Sequence, residues 1–277
     1  MMSHNDFGKA ISEIVQLENS QIIRLESIES DNDDEKSKVV VGTIDRKNID
    51  ERLIVYHNPR SIESEYFRFL KSRIEQQFER KRKIEGRVIL ITGPNLAAGK
   101  TICSINLALG FARSYGGKTL FMDTDTRRGT SRKYLGIREE NLPGFSDVLT
   151  RKTRAGRVLL NTEMFNMVYF PSGEFSEQFL DELRGKELSV LINSLKERFK
   201  YIIIDSPPAF PMPETAAIAQ HCDGVFVVLR ADRDGQEDLI QAREALDGAN
   251  IMGVILNAVK KTPGQRYGAY GYYGKRR

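Results

Sequence analysis

One stretch constrains this chain more than any other, residues 88–106, VILITGPNLAAGKTICSIN. Val88, Ile89, Leu90, Ile91 and Thr92 form a short apolar, partly β-branched run, the pattern of a strand buried on both faces. Gly93-Pro94 ends it. Asn95 to Gly99 are small apart from Leu96, and Lys100-Thr101 then opens a run whose Ile102, Ile105, Leu107, Ala108, Leu109 and Phe111 predict a mostly buried helix. Strand, small-residue loop, Gly-Lys-Thr and helix is the architecture of a phosphate-binding loop. Such a loop suits a polyphosphate, because the first amides of a helix are unpaired donors at the positive end of its dipole. Lys100 can reach the β- and γ-phosphates and the Thr101 hydroxyl can bind Mg²⁺. The expected cradle is Asn95, Leu96, Ala97, Ala98, Gly99, Lys100, Thr101 and Ile102. The spacing departs from Gly-x4-Gly-Lys-Thr, since Pro94 stands where the first glycine belongs and Gly93 lies one residue early.

Two further strand ends carry acids. Lys118–Asp123, KTLFMD, predicts a buried strand ending in Asp123-Thr124-Asp125. Residues two apart in extended backbone point to one side, so both carboxylates can face one site. Acids at the end of a buried strand are costly unless a cation or hydrogen bonds compensate, and Mg²⁺ with a nucleotide would do so. Tyr201–Ile204 is a continuous apolar strand ending in Asp205, the second aspartate signature of nucleotide sites. Met167–Phe170, Gly224–Leu229 and Ile251–Leu256 predict more strands, the last two expected to be buried, with helical patterning over 176–198 and 235–247. Asn257 closes the last strand, where a side-chain amide could read adenine or simply form a turn. Strands alternating with helices predict an α/β, three-layer fold, a mostly parallel sheet covered on both faces, with the site at the strands' carboxyl ends.

Bulk properties limit the partners. At 277 residues the chain can hold one large domain with extensions, expected as a flexible segment 1–50, a nucleotide-binding domain 51–262 and a flexible tail 263–277. The net charge of +4 demands neither nucleic acid nor membrane, and no nucleic-acid partner is expected. No apolar stretch approaches a membrane span and the amino terminus is polar, so a cytoplasmic chain is expected. Cys103 and Cys222 make no metal or redox spacing. Residues 61–83 predict a helix with an apolar stripe of Tyr66, Phe67, Leu70, Ile74 and Phe78. Glu65, Arg68 and Lys71 recur every three residues on another face, as local ion pairs or as a subunit contact. The tail PGQRYGAYGYYGKRR places Tyr267, Tyr270, Tyr272 and Tyr273 among glycines and basic residues and cannot build a core.

The loop GPNLAAGKT, the stretches FMDTDTR and IIIDSPP, and the terminal tyrosines together resemble the bacterial tyrosine kinases that accompany capsule and exopolysaccharide export. The helix SEYFRFLKSRI resembles that family's Glu-x-x-Arg-x-x-Arg subunit-contact motif, with Lys71 in place of the second arginine. The resemblance runs from about residue 55 to the end. It implies that Lys100 and Thr101 hold phosphate and Mg²⁺, that Asp123 accepts the tyrosine proton, and that Asp125 and Asp205 are Mg²⁺-linked acids. It further implies ATP as phosphoryl donor, the tail tyrosines as phosphoacceptors, Glu65, Arg68 and Lys71 as a subunit contact in a ring, and a membrane-bound activator of polysaccharide assembly that recruits the kinase. The chemistry is consistent with this: a phenol with a pKa near about 10 needs a carboxylate to orient it and take its proton. Two alternatives share these motifs. One is a positioning ATPase of the partition or septum-site class, which carries a lysine where Asn95 stands; the other is a non-catalytic ATP-binding regulator.

Overall fold

The computed structural model describes residues 22–27, 40–80, 87–114 and 117–260. Its strands are β1 (Ile22–Ser27), β2 (Val40–Asp45), β3 (Arg87–Thr92), β4 (Thr119–Asp123), β5 (Leu160–Asn161), β6 (Met167–Phe170), β7 (Tyr201–Asp205), β8 (Gly224–Arg230) and β9 (Ile251–Asn257). They form one sheet in the order β2-β1-β5-β6-β4-β7-β3-β8-β9. From β6 to β9 all neighbours are parallel, whereas β5, β1 and β2 add an antiparallel margin.

The alternation of side chains along the central strands explains the three layers. On β3, Ile89 and Ile91 join one apolar cluster and Val88 and Leu90 the other. Phe121 and Ile203 fall with the first pair, and Leu120, Met122, Ile202 and Ile204 with the second. Each strand therefore needs apolar residues at every position, which is why these runs are continuous rather than alternating. The helix Lys100–Ala112 and the helix Ile62–Arg80, through Ile74 and Phe78, cover the first face. Helices Glu187–Arg198, Pro213–Ala219 and Gln236–Ala245 cover the second.

Several expectations need correction. In residues 1–50, expected to be flexible with Val39–Val41 alone patterned as a short strand, β2 begins within that stretch; β1, which the pattern does not announce, pairs with it and extends the sheet, with Leu25 and Ile44 fully buried. The antiparallel pairing of β1 with β5 is a long-range contact that no local pattern announces. Ile251–Leu256, expected to be buried, is the sheet edge, and it leaves Val254 46% and Leu256 57% exposed. The helical pattern over 176–198 is two helices, Glu177–Glu182 and Glu187–Arg198, broken around Gly185. Tyr66, placed in the buried stripe from sequence, is exposed. Tyr267, Tyr270, Tyr272 and Tyr273 lie outside the described residues.

Candidate active site

The phosphate loop joins β3 to the helix Lys100–Ala112, which Gly99 caps without a side chain to satisfy the first-turn amides. Backbone approach explains its glycines. A Cβ on Gly93 would stand 2.4 Å from the carbonyl oxygen of Val228, so the early glycine lets β8 pass close to the loop. Gly99 has φ +90, and a Cβ there would lie 2.0 Å from Nδ2 of Asn257. Ala97 has φ 56, a left-handed conformation that costs a residue with a Cβ about 1–2 kcal/mol.

Three tethers hold the loop. Lys100 Nζ donates to the Asn95 carbonyl at 3.0 Å, so the lysine closes the loop on itself. Asn95 Nδ2 donates to Asp234 at 3.1 Å and to Asp238 at 2.7 Å. Asn257 Nδ2 donates to the Ala98 carbonyl at 2.9 Å, so the strand-end amide also braces the loop. Asp234, Asp238 and Ser104 had no sequence signal as site residues. Their placement depends on helices and strands meeting in space.

Asp123 and Asp205 are register partners on adjacent parallel strands, and each is 1% exposed. Ser104 Oγ donates to Asp205 Oδ1 at 2.9 Å, and the Thr101 hydroxyl bonds the same carboxylate. Asp123 Oδ1 accepts from the Asp125 amide at 2.9 Å, while Oδ2 accepts from Ser131 Oγ at 2.5 Å. Ser131 Oγ also lies 2.9 Å from the buried Tyr169 hydroxyl. Both hydroxyls can donate or accept, so this chain survives either protonation state of Asp123.

The electrostatics of this pair are strained. Burial, and then the charge of Asp205, push Asp123 up to about 8. Burial also pushes Asp205 up to about 7, against the Thr101 and Ser104 hydrogen bonds. Burial raises Asp125 too, opposed by Lys100. Burial lowers Lys100, opposed by Asp205 and Asp125. Low-dielectric surroundings thus penalise every charge of the site at once. Lys100, Thr101, Asp123, Asp125 and Asp205 share one electrostatic environment at the carboxyl ends of β3, β4 and β7.

These donors suit Mg²⁺ with a nucleotide. Among the described residues no three acidic, histidine or cysteine side chains converge as an all-protein metal cage. Mg²⁺ bound with phosphates needs none, since it takes hydroxyl and carboxylate oxygens plus phosphate and water. Thr101 already touches Asp205, and the crowded buried carboxylates are the uncompensated charge such an ion would neutralise.

The residues expected at a subunit contact lie elsewhere, on the helix Ile62–Arg80. Glu65 and Arg68 pair with each other on the surface. Lys71 turns inward, 3.2 Å from Glu75 and over the Phe111 ring at 5.7 Å, so the three do not form one exposed row.

A family model described as an AAA domain matches residues 86–248. The tyrosine-protein kinase CpsD of Streptococcus agalactiae is 32% identical over 217 residues, which cover 76% of this chain and 90% of that protein. The kinase domain of the Escherichia coli tyrosine kinase ETK superposes with a TM-score of 0.70 at 25% identity, covering 79% of this chain and 84% of that one. The chimerical protein CapA2B2 superposes with a TM-score of 0.69 at 26% identity, covering 76% and 91%.

Proposed function

We propose that this chain, which belongs to the bacterial tyrosine-protein kinases of capsule biosynthesis, phosphorylates Tyr267, Tyr270, Tyr272 and Tyr273 of its own tail, and so regulates capsule or exopolysaccharide polymerisation and export. The observation that carries this reading is the meeting of Lys100 with Asp123, Asp125 and Asp205 in one buried site beside open helix amides.

In this reading Lys100 leaves the Asn95 carbonyl for the β- and γ-phosphates, and the loop amides take the remaining oxygens. Thr101, Asp125 and Asp205 would hold Mg²⁺, which supplies charge neutralisation to the transferring phosphoryl group. Asp123 accepts the phenolic proton. The Ser131 hydroxyl on its Oδ2 and the Asp125 amide on its Oδ1 hold that carboxylate in one orientation. Glu65 and Arg68, with the exposed Ile62, Tyr66 and Phe69 on the same helix, would make the contact to a second copy in a ring. Lys71 would support that contact from within the helix. A membrane-bound co-polymerase would activate and recruit the kinase to the cytoplasmic face. Among the described residues no helix is long and apolar enough to cross a membrane. The positioning-ATPase alternative loses support at Asn95, whose amide is engaged by Asp234 and Asp238 where that class carries a lysine.

The test is phosphosite mapping of wild type beside Lys100→Met, with ATP, Mg²⁺ and a matching activator. Phosphate on the four tail tyrosines, lost at least about a thousandfold in the variant, is expected. An unmodified wild-type tail rejects the assignment.

A further inference from the structure

Beside the acids, a cavity of about 200 Å³ opens between the loop after β4 and the loop after β6, and the proposed chemistry leaves it unused. Arg127, Arg128, Arg132, Leu142 and Phe175 contribute to its wall. The three arginines are not equivalent. Arg127 is spent: its Nε donates to buried Glu214 at 2.8 Å and its guanidinium covers the Phe175 ring at 4.0 Å. Arg132 is held loosely, 3.5 Å from the Glu139 carbonyl and 3.9 Å from Glu140. The Arg128 side chain is exposed and has no hydrogen bond or ion pair among the described residues, yet its charge is felt at both Lys100 and Asp125. Glu140 and Glu174 stand at the rim, the first already facing Arg132. The Arg128 side chain, unpaired among the described residues, therefore sits between the acids and a largely polar recess whose apolar side chains include Leu142 and Phe175.

The tail supplies the matching chemistry only after it has reacted. Residues 263–277 hold Arg266, Lys275, Arg276 and Arg277 and no acid, so the unmodified tail is repelled by such a wall. A phosphotyrosine brings about −1.5 to −2 charges and three acceptor oxygens, which pair well with guanidinium groups. The acceptors also crowd together, from Tyr267 to Tyr273. A chain spans at most about 3.5 Å per residue, so a phosphotyrosine in the cavity leaves its neighbour within about 10 Å.

We propose that this cavity is a phosphotyrosine subsite for the kinase's own tail. The first phosphate monoester formed docks on Arg128 and Arg132, its ring in the recess between the two loops, and keeps the tail in place while the next tyrosine is delivered. The inference rests on the tail being the acceptor, as proposed above. It makes phosphorylation of the cluster processive rather than distributive.

The test uses the full chain with a non-hydrolysable ATP analogue and Mg²⁺, so that the phosphate loop is filled. Fluorescence anisotropy compares a synthetic 263–277 peptide bearing phosphate on Tyr272 with the unmodified peptide and with inorganic phosphate as competitor. The phosphopeptide is expected to bind at least about tenfold tighter than the unmodified one. Arg128→Ala combined with Arg132→Ala should abolish that difference while the analogue still binds. Photo-crosslinking of the phosphopeptide to wild type should mark residues 126–132 or 171–175, a readout that does not depend on any variant folding. Equal affinity for the two peptides, a crosslink elsewhere, or displacement by inorganic phosphate at matching concentration overturns the inference. Because the peptide is synthetic, these results are independent of whether the chain phosphorylates itself, which the phosphosite mapping decides.

Discussion

The two halves of the site handle charge in opposite ways. The phosphate loop after β3 satisfies itself: Lys100 bonds the Asn95 carbonyl, and Asn257 and the Asp234–Asp238 pair brace the backbone. The acid pair at the ends of β4 and β7 does not, since parallel register sets Asp123 beside Asp205 with both buried. The loop is thus shaped in advance and gives up a weak contact when a phosphate arrives. The acids hold electrostatic stress that a cation relieves. Preorganisation and stress are complementary, because a bound nucleotide with its metal draws on both.

The largest effect that sharpens this contrast concerns pH. Burial holds the carboxyl pKa values of folded Asp123 and Asp205 well above that of an unfolded carboxylate. The folded state therefore binds more protons than the unfolded state from about pH 4 upward. Stability from this pair is complete below about pH 4, is lost progressively as pH rises from there, and levels off once the folded carboxyls have ionised. Asp123→Asn should flatten the decline, raising stability at pH 8 by on the order of 2 kcal/mol, or several degrees in Tm, with a smaller gain at pH 5. Denaturant titrations across that range check it. A variant no more stable than wild type at pH 8 would mean that the acids are not stressed.

A smaller effect is expected in the loop. Gly99→Ala puts a Cβ onto Asn257 Nδ2 and forces alanine to φ +90. ATP affinity should fall about ten- to a hundredfold, read by calorimetry, with a modest stability loss. Smallest is Ala97→Gly, which removes left-handed strain at φ 56 against the extra backbone entropy of glycine. The net gain should be within about 1 kcal/mol, seen as a slightly higher Tm. A clear loss would show that the Ala97 methyl packs usefully.

Much of this was legible in the chain because it depends on local order. The apolar runs ending at Thr92, Asp123, Asp205 and Asn257 announce strands and line up their ends, and Gly99-Lys100-Thr101 announces the loop. The partners of those residues were not legible. Ser131 reaches Asp123 from the start of a short helix and Tyr169 reaches Ser131 from a neighbouring strand, 8 and 46 residues from Asp123 in sequence. Lys71 has the spacing of a surface motif but lies over Phe111, because the helix Ile62–Arg80 packs on the helix Lys100–Ala112. The strand β1 carries too few apolar residues to be seen without β5 beside it.

The order of residues alone therefore determined which strands exist, where each ends and which ionisable groups stand at those ends, since burial on both faces demands unbroken apolar runs. Only the tertiary structure decided that β4 lies next to β7 and so forces two carboxylates together. It also decided that β8 crowds Gly93, and that Arg128 stands in the wall of a cavity beside the acids. Adjacency of strands is a property of the packed sheet, and the interactions it creates are long-range Coulombic and steric ones that short sequence windows do not contain.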